Sequence, residues 1–145
     1  MSAAKGAARP ERDAIDVLVV EDDPDIGVML ERRLASEGLS IRRASDGAEA
    51  LRAAMASPPD VIVLDLMLPG MDGYKMARIL RQQPGCADVP IVVVSALAHR
   101  DNRKRATKEA GAAAYLTKPF DFREMVEAVR KAAASRRPSN PEATR

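Results

Sequence analysis

Four short apolar runs recur along the chain, separated by segments in which apolar residues return every three or four positions. The runs are VLVV, VIVL, IVVV and the weaker AAAYL, which begin at Val17, Val61, Ile91 and Ala112. Each has the length of a strand, and the first three lack polar alternation, which is typical of parallel strands covered on both faces. A fifth segment, Ser40–Ala44, is poorly patterned and predicts only an edge strand.

The segments between the runs carry helix start and stop signals. Aspartates that precede an apolar periodic segment are typical N-caps, a proline fits the first helical position, and a glycine marks a C-terminal stop. A glutamate three residues after an N-cap completes an approximate capping box. The predicted signals are Asp23 with Pro24, Gly38, Asp46 with Glu49, Gly111, and Asp121 with Glu124. Asp72, beside Gly73, is either a turn residue or an N-cap.

Strand and helix therefore alternate five times between Asp16 and Ala134. Such alternation predicts right-handed parallel crossovers and an open α/β sheet with helices on both faces, which is a doubly wound fold. Ligands of such folds lie outside the carboxyl ends of the strands, where the strand order reverses. We therefore expect the functional residues at those ends.

Length and composition favour one cytoplasmic domain. The 145 residues suffice for one core, and no apolar run approaches the length of a membrane span. We assign 15–134 to the domain, and 1–14 and 135–145 to a flexible N-terminal segment and a flexible C-terminal tail. The net charge of +2 is too small to indicate a nucleic-acid partner, although Arg136, Arg137 and Arg145 place some of the excess charge in the tail. The single cysteine, Cys86, is expected to be an inert thiol.

Polar residues stand at the predicted carboxyl ends of four strands: Glu21 and Asp22, Asp65, Ser95, and Lys118. Two carboxylates about 5 Å apart repel by roughly 3 kcal/mol at an effective dielectric near 20, so three together call for a cation. Oxygen ligands without His or Cys select magnesium, calcium or manganese, and magnesium leaves coordination positions for a phosphoryl group. An aspartate can accept a phosphoryl group covalently, and lysine can bind one. The only histidine, His99, is expected at the surface.

Four motifs, VLVVEDDPDI, VIVLDLMLPGMDG, PIVVVSA and YLTKPF, occur in an order and spacing that resemble the receiver domain of two-component response regulators. The resemblance covers Asp16 to Ala134 and is greatest to stand-alone, chemotaxis-regulator-like receivers. It implies a flavodoxin-like, five-stranded parallel sheet of order 2-1-3-4-5. It also implies that Asp65 accepts a phosphoryl group from a sensor histidine kinase or a histidine phosphotransfer protein.

The resemblance further implies a role for each matching residue. Asp22 and Asp65 would ligate magnesium directly with the backbone carbonyl of Met67, Glu21 would act directly or through water, and manganese could substitute. Lys118 would pair with Asp65 and then bind a phosphoryl oxygen, and its bond to Pro119 would be cis. Ser95 and Tyr115 match the family's switch pair, and the fourth helix, fifth strand and fifth helix match the family's docking face for a downstream protein.

Several simpler interpretations stay open. The acidic run from Glu21 to Asp25 could be charge at a helix N-terminus, Tyr115 an ordinary strand aromatic, and the basic run from Arg100 to Arg105 either a solvated face or a docking site for an acidic partner. Ala112 to Ala114 replace an acidic pair often found there in the family. The apolar residues Met67 and Leu97 flank the predicted pocket, and we expect them to hinder the attacking water and lengthen the life of the phosphoryl group.

The function that we expect is a stand-alone response regulator that catalyses only its own phosphorylation and dephosphorylation, without direct contact to nucleic acid or membrane. One alternative is the receiver of a larger DNA-binding or enzymatic regulator. A second is an aspartyl-phosphate hydrolase of the haloacid dehalogenase type, which is disfavoured because Met67 stands where a second aspartate is needed. A flavin carrier is disfavoured because the chain has no Trp and only four other aromatic residues.

Overall fold

The computed structural model describes residues 14–136 except Pro69 and Ala98. Within these residues, five strands alternate with five helices, and the fourth helix runs directly into a π-helical turn, Ala106–Ala110. In chain order the elements are β1 (Asp16–Val20), α1 (Pro24–Ala35), β2 (Ser40–Ala44), α2 (Gly47–Ala56), β3 (Val61–Asp65), α3 (Gly73–Arg81), β4 (Ile91–Ser95), α4 (Arg100–Arg105), β5 (Ala112–Thr117) and α5 (Phe122–Arg136).

All five strands form one parallel sheet with the order β2-β1-β3-β4-β5. The predicted order 2-1-3-4-5 and the flavodoxin-like fold are therefore confirmed, and the weakly patterned β2 is an edge strand as expected. The register places Asp65 opposite Val94, and Ser95 opposite Thr117. The carboxyl ends of the strands consequently lie side by side along one edge of the sheet.

Two apolar layers sandwich the sheet because successive strand residues point to opposite faces. On one face, Leu18, Ile62 and Leu64 pack with residues of α2, α3 and the π-helical turn. On the other, Val17 and Val63 pack with residues of α1 and α5. Strands β3 and β4 are buried at every position, which explains why their sequences lack polar alternation.

The predicted N-caps are occupied by aspartates whose side chains accept backbone N–H groups of the first helical turn. Asp23 caps α1, Asp46 caps α2, and Asp72 caps α3. Asp121 accepts from the backbone N–H of Arg123 at the start of α5. The helix-stop signals differ in accuracy: the π-helical turn ends at Gly111 with φ +66°, whereas α1 ends at Ala35, three residues before Gly38.

The structure adds two local features that the pattern did not predict. One is the π-helical turn, and the other is a shift of register in β5, where Ile91 pairs with Ala112 and Val92 with Ala114, leaving Ala113 as an extra residue. Helix α5 ends at Arg136, two residues beyond the proposed domain boundary at 134. Residues 1–13 and 137–145, which hold most of the proposed flexible segments with Arg137 and Arg145, lie outside the described residues. Within the described part of the chain, none of the helices is long and apolar enough to span a membrane.

Candidate functional site

Three carboxylates meet at the carboxyl ends of β1 and β3. One oxygen each of Glu21, Asp22 and Asp65 lies within 4.8 Å of the others. Glu21 and Asp65 are almost buried, with 8% and 6% of their surface exposed, whereas Asp22 is open to solvent. The hydrophobic strands deliver the two buried carboxylates to this position, since β1 and β3 are direct neighbours in the sheet.

Lys118 supplies the cation that faces this cluster. Its Nζ donates to Oδ2 of Asp65 at 2.9 Å and lies 3.7 Å from Oε1 of Glu21. The backbone N–H of Lys118 donates to the carbonyl of Ser95 at 2.8 Å, which fixes the residue just beyond β5. The Lys118–Pro119 peptide bond is cis, as the resemblance implied.

Burial and charge shift the pKa of two groups in the site. Burial raises the pKa of Glu21, although the Asp23 backbone N–H and Lys118 act in the opposite direction. Burial would lower the pKa of Lys118, but its hydrogen bond to Asp65 and the nearby carboxylates outweigh burial, and the net shift is upward. Lys118 is therefore charged at neutral pH, whereas burial makes the charged form of Glu21 less favourable than it is in water.

The loop after β3 is held close to Asp65. Asp65 Oδ1 accepts from the backbone N–H of Met67 at 2.9 Å, and the N–H of Gly73 donates to the carbonyl of Leu66 at 3.2 Å. A Cβ atom at Gly73 would lie only 2.8 Å from the Cα of Leu66, so this close approach requires a glycine. The Met67 side chain is 67% exposed at the rim of the site. Sequence reasoning missed the contact between Gly73 and Leu66, because it depends on how the loop folds back onto α3.

The donor set fits a hard divalent cation. Three carboxylates face one lysine, so the cluster has an excess of negative charge, and its ligand atoms are oxygens of the kind that magnesium prefers. Burial alone already disfavours the charged form of Glu21. A bound cation would remove this disadvantage. Glu21, Asp22 and Asp65 are the residues that could hold it, and a role for the Met67 carbonyl stays a prediction.

Ser95 and Tyr115 are linked through the residue that follows β4. Ser95 is fully buried, and its Oγ accepts from the backbone N–H of Leu97 at 3.1 Å. The Tyr115 hydroxyl donates to the carbonyl of the same Leu97. The switch pair that the sequence suggested is thus connected, but its switching role stays a prediction.

Arg103, on α4, is a further residue of this region that sequence reasoning placed only in a basic run. Its guanidinium carbon lies 5.0 Å from the Tyr115 ring centroid, and its Nη1 donates to the Tyr115 carbonyl at 3.2 Å. No local sequence signal connects an arginine with a tyrosine twelve residues later. His99 is exposed, as expected, and caps α4 through its Nδ1.

Curated relatives share most of the described domain. The chain is 47% identical over 114 residues to the transcriptional regulatory protein PrrA of Mycobacterium tuberculosis, covering 79% of this chain and 48% of that protein. It is 37% identical over 114 residues to the DNA-binding dual master transcriptional regulator RpaA of Synechocystis, covering 79% and 47%. The chain thus spans about half the length of the curated relatives it matches.

Solved structures agree with the fold. A Francisella response regulator receiver domain superposes with a TM-score of 0.78 at 34% identity, covering 83% of this chain and 98% of that one. The receiver domain of a Pseudomonas aeruginosa sensor histidine kinase, which has a magnesium ion coordinated in its active site cleft, superposes with a TM-score of 0.76 at 32% identity and the same coverage. The family model of the response regulator receiver domain matches residues 17–130. With that match extending over most of the described residues, the chain belongs to the response regulator receiver domain family.

Proposed function

We propose that the chain is a single-domain response regulator that accepts a phosphoryl group on Asp65 in a magnesium-dependent reaction. The donor is a sensor histidine kinase or a histidine phosphotransfer protein. The observation that carries the proposal is the almost buried Asp65 carboxylate, held 2.9 Å from Lys118 and within 4.8 Å of Glu21 and Asp22. Family membership supports the same reaction.

Each residue of the site has a separate role in phosphoryl transfer. Asp65 is the nucleophile, oriented by the Met67 N–H on one oxygen and by Lys118 on the other. As negative charge develops on the phosphoryl group, the Lys118 ammonium group binds one of the phosphoryl oxygens as a point charge. Magnesium, held by Glu21, Asp22 and Asp65 when bound, supplies the remaining positive charge; manganese, which has the same preference for oxygen ligands, can take its place.

Phosphorylation then changes the contacts of Ser95 and Tyr115. The added group brings negative charge and three strong acceptor oxygens, to which the buried Ser95 hydroxyl can donate. Ser95 Oγ accepts from the N–H of Leu97, and the carbonyl of Leu97 accepts from the Tyr115 hydroxyl. A movement of Ser95 is therefore transmitted to the Tyr115 ring through Leu97. This path biases a pre-existing equilibrium of the surface formed by α4, β5 and α5.

The downstream partner is a protein that docks on the surface formed by α4, β5 and α5. Arg100, Lys104 and Lys108 are exposed along α4 and its π-helical turn at intervals of four residues, a spacing that puts side chains on one helical face. Within the part of the chain that the structure describes, no carboxylate pairs with them. The positive charge of these three side chains supports a partner with an acidic docking surface. In this proposal the chain is cytoplasmic, and it contacts neither nucleic acid nor membrane directly.

A second candidate function rests on the relatives' length. The chain spans 48% of PrrA, which is named a transcriptional regulatory protein, and 47% of RpaA, which is named a DNA-binding regulator. The same phosphorylation at Asp65 would then control an output domain on a longer chain. The chemistry at the site is identical in both candidates, and only the element that reads the α4, β5 and α5 surface differs.

The experiment is a phosphotransfer assay with a panel of autophosphorylated histidine kinases and phosphotransfer proteins, with and without magnesium. We expect Asp65 to be labelled only with the divalent cation, and the Asp65→Asn variant to stay unlabelled. Asp60→Asn is the matched control, because Asp60 is a carboxylate that directly precedes β3, at the end opposite to Asp65, and it accepts from the N–H of Asp16 at 2.9 Å. Labelling of Asp65→Asn at the wild-type level would refute the assignment.

A further inference from the structure

One side chain of α4 makes three contacts with the edge strand of the sheet. The Nη1 of Arg103 donates to the backbone carbonyl of Tyr115 at 3.2 Å, and its Nη2 donates to Oγ1 of Thr117 at 3.2 Å. Its guanidinium carbon lies 5.0 Å from the centre of the Tyr115 ring. A planar guanidinium can make such contacts together, since it presents a rigid fork of donors and a face that stacks on aromatic rings.

The contact extends a path of hydrogen bonds that starts at the phosphorylation site. Ser95 Oγ accepts from the N–H of Leu97 at 3.1 Å, and the carbonyl of Leu97 accepts from the Tyr115 hydroxyl. Arg103 holds the same tyrosine by its ring and its carbonyl. The buried end of β4 is therefore connected to α4 by consecutive contacts through Tyr115.

The position of Tyr115 in the sheet makes this clamp effective. β5 is the last strand, so one row of its peptide groups has no neighbouring strand to pair with. Arg103 donates to the carbonyl of Tyr115 on this edge strand and, two residues further on, to the Thr117 side chain. The strand edge, the ring and α4 are thus joined by one side chain, and a lysine, with a single ammonium group, could not make all three contacts.

We propose that Arg103 is a positioning residue that clamps Tyr115 to α4, so that the ring and the helix move as one unit. The consequence is that a partner senses phosphorylation through a displacement of α4 rather than through the ring alone. The phosphorylation step in this inference rests on the proposed function. The clamp itself is present before any phosphoryl transfer, so it can be tested without that step.

The neighbouring basic residues provide controls. Arg105 stacks on the Tyr74 ring at 4.0 Å and pairs with Glu109 at 3.1 Å, so it serves a different contact between α3 and the π-helical turn. The Lys104 side chain is exposed and, among the described residues, has no hydrogen-bond or ion-pair partner. It carries the same charge as Arg103 one position away. Lys104→Gln therefore removes a charge from α4 without touching the clamp.

The clamp is tested by tyrosine fluorescence. The chain has two tyrosines and no tryptophan, so in a Tyr74→Phe background Tyr115 is the only source of tyrosine emission. We expect the Phe ring to stack under Arg105 as the tyrosine ring does. Quenching by acrylamide, which is neutral, measures how freely the ring is exposed. We expect Arg103→Gln to raise the population of the displaced ring about two- to fivefold, the factor that corresponds to losing an exposed cation–π contact.

The controls distinguish the loss of the Arg103 contacts from the loss of a positive charge and from unfolding. Arg103→Lys keeps the charge and can still place an ammonium over the Tyr115 ring, but it lacks the fork that reaches the Tyr115 carbonyl and Thr117. We therefore expect its quenching to lie between the parent and Arg103→Gln, whereas Lys104→Gln should quench as the parent does. Equal quenching in Arg103→Gln and Lys104→Gln would overturn the proposal. Thermal unfolding of each variant verifies that the comparison is made between folded proteins.

The coupling is tested with beryllium fluoride and magnesium, which imitate a phosphoryl group on a carboxylate. In the parent we expect the Tyr115 emission and the hydrogen exchange of α4 amides to respond together. In Arg103→Gln the emission should still respond while α4 does not, and a full response of α4 in that variant would overturn the proposal. A parent that does not respond at all would count against the proposed function of Asp65, and the quenching comparison would still decide the clamp.

Discussion

The contact between Gly73 and Leu66 leads to a prediction about both stability and the site. Gly47 and Gly73 are both the first residue of a helix and both follow an aspartate N-cap. A Cβ atom at Gly73 would lie 2.8 Å from Cα and 2.9 Å from Cδ2 of Leu66, whereas the three atoms nearest to one at Gly47 all belong to the Met71 side chain, at 3.1 to 3.4 Å. A flexible methionine can move aside, but the backbone of Leu66 cannot.

The expected magnitudes follow from these contacts. Replacing glycine by alanine in a helix typically stabilises by up to about 1 kcal/mol, and forced overpacking costs about 1–3 kcal/mol. We expect Gly47→Ala to be neutral or stabilising, and Gly73→Ala to lower the free energy of unfolding by about 1–2 kcal/mol. For a domain of this size the loss corresponds to a decrease in Tm of roughly 4–8 °C.

The assay is thermal unfolding followed by circular dichroism, with and without magnesium. Leu66 lies between Asp65 and Met67, so the displacement in Gly73→Ala should also weaken cation binding. A cation that binds only the folded state raises Tm, and this increase becomes smaller as its affinity falls. We expect the increase to be smaller in Gly73→Ala than in Gly47→Ala. If Gly73→Ala proved as stable as Gly47→Ala, the steric reasoning would be wrong.

Three further predictions concern other parts of the domain. Because burial raises the pKa of Glu21 above 4.5, the metal-free folded state holds that proton more tightly than the unfolded chain. The contribution of Glu21 to the free energy of unfolding should therefore fall as pH rises through its pKa, opposite in sign to that of Glu49, whose pKa is lowered by its hydrogen bonds to Ser45. Magnesium should reduce the loss at Glu21 in a pH series of urea titrations. In a phosphate-release assay, the Met67→Asn variant should lose its phosphoryl group severalfold faster, since a polar side chain at the rim can orient the attacking water. No acceleration would count against the expectation that Met67 hinders this water. Arg42→Ala should lower the free energy of unfolding by about 1–2 kcal/mol, because Arg42 makes two hydrogen bonds to Asp16. Arg43→Ala removes an exposed ion pair and should lower the free energy of unfolding by about 0.5 kcal/mol or less in the same titrations.

The fold could be predicted because its central strands are buried on both faces. Runs such as Val61 to Leu64 contain no polar residue, and in a chain where strands alternate with capped helices that pattern is typical of the inner strands of a parallel sheet. The edge strand β2 was harder to predict, because Arg42 occupies a position in it. The structure shows why the arginine is tolerated: its guanidinium bonds Asp16 in the neighbouring strand and two carbonyls at the end of α2.

The site residues that lie at the ends of strands could be predicted from the sequence. Glu21, Asp65 and Ser95 end or follow apolar runs, and parallel order alone brings them to one edge of the sheet. The contacts of Arg103 and Gly73 could not be predicted, because each depends on the path of a loop or helix that returns to the sheet from a distant point in the chain. The family match is to receiver domains rather than to the hydrolase or flavin-carrier families that the sequence left open.

The order of the strands separates the two sides of Asp65. On the β1 side stand Glu21 and Asp22, which provide ligands and negative charge. On the β4 and β5 side stand Ser95 and Lys118, which are joined by the backbone hydrogen bond from the Lys118 N–H to the Ser95 carbonyl. A phosphoryl group on Asp65 would therefore meet cation ligands on one side and the donors of Ser95 and Lys118 on the other. Because the second side connects to α4 through Leu97 and Tyr115, we expect a signal that starts at Asp65 to leave the domain through β4 and β5.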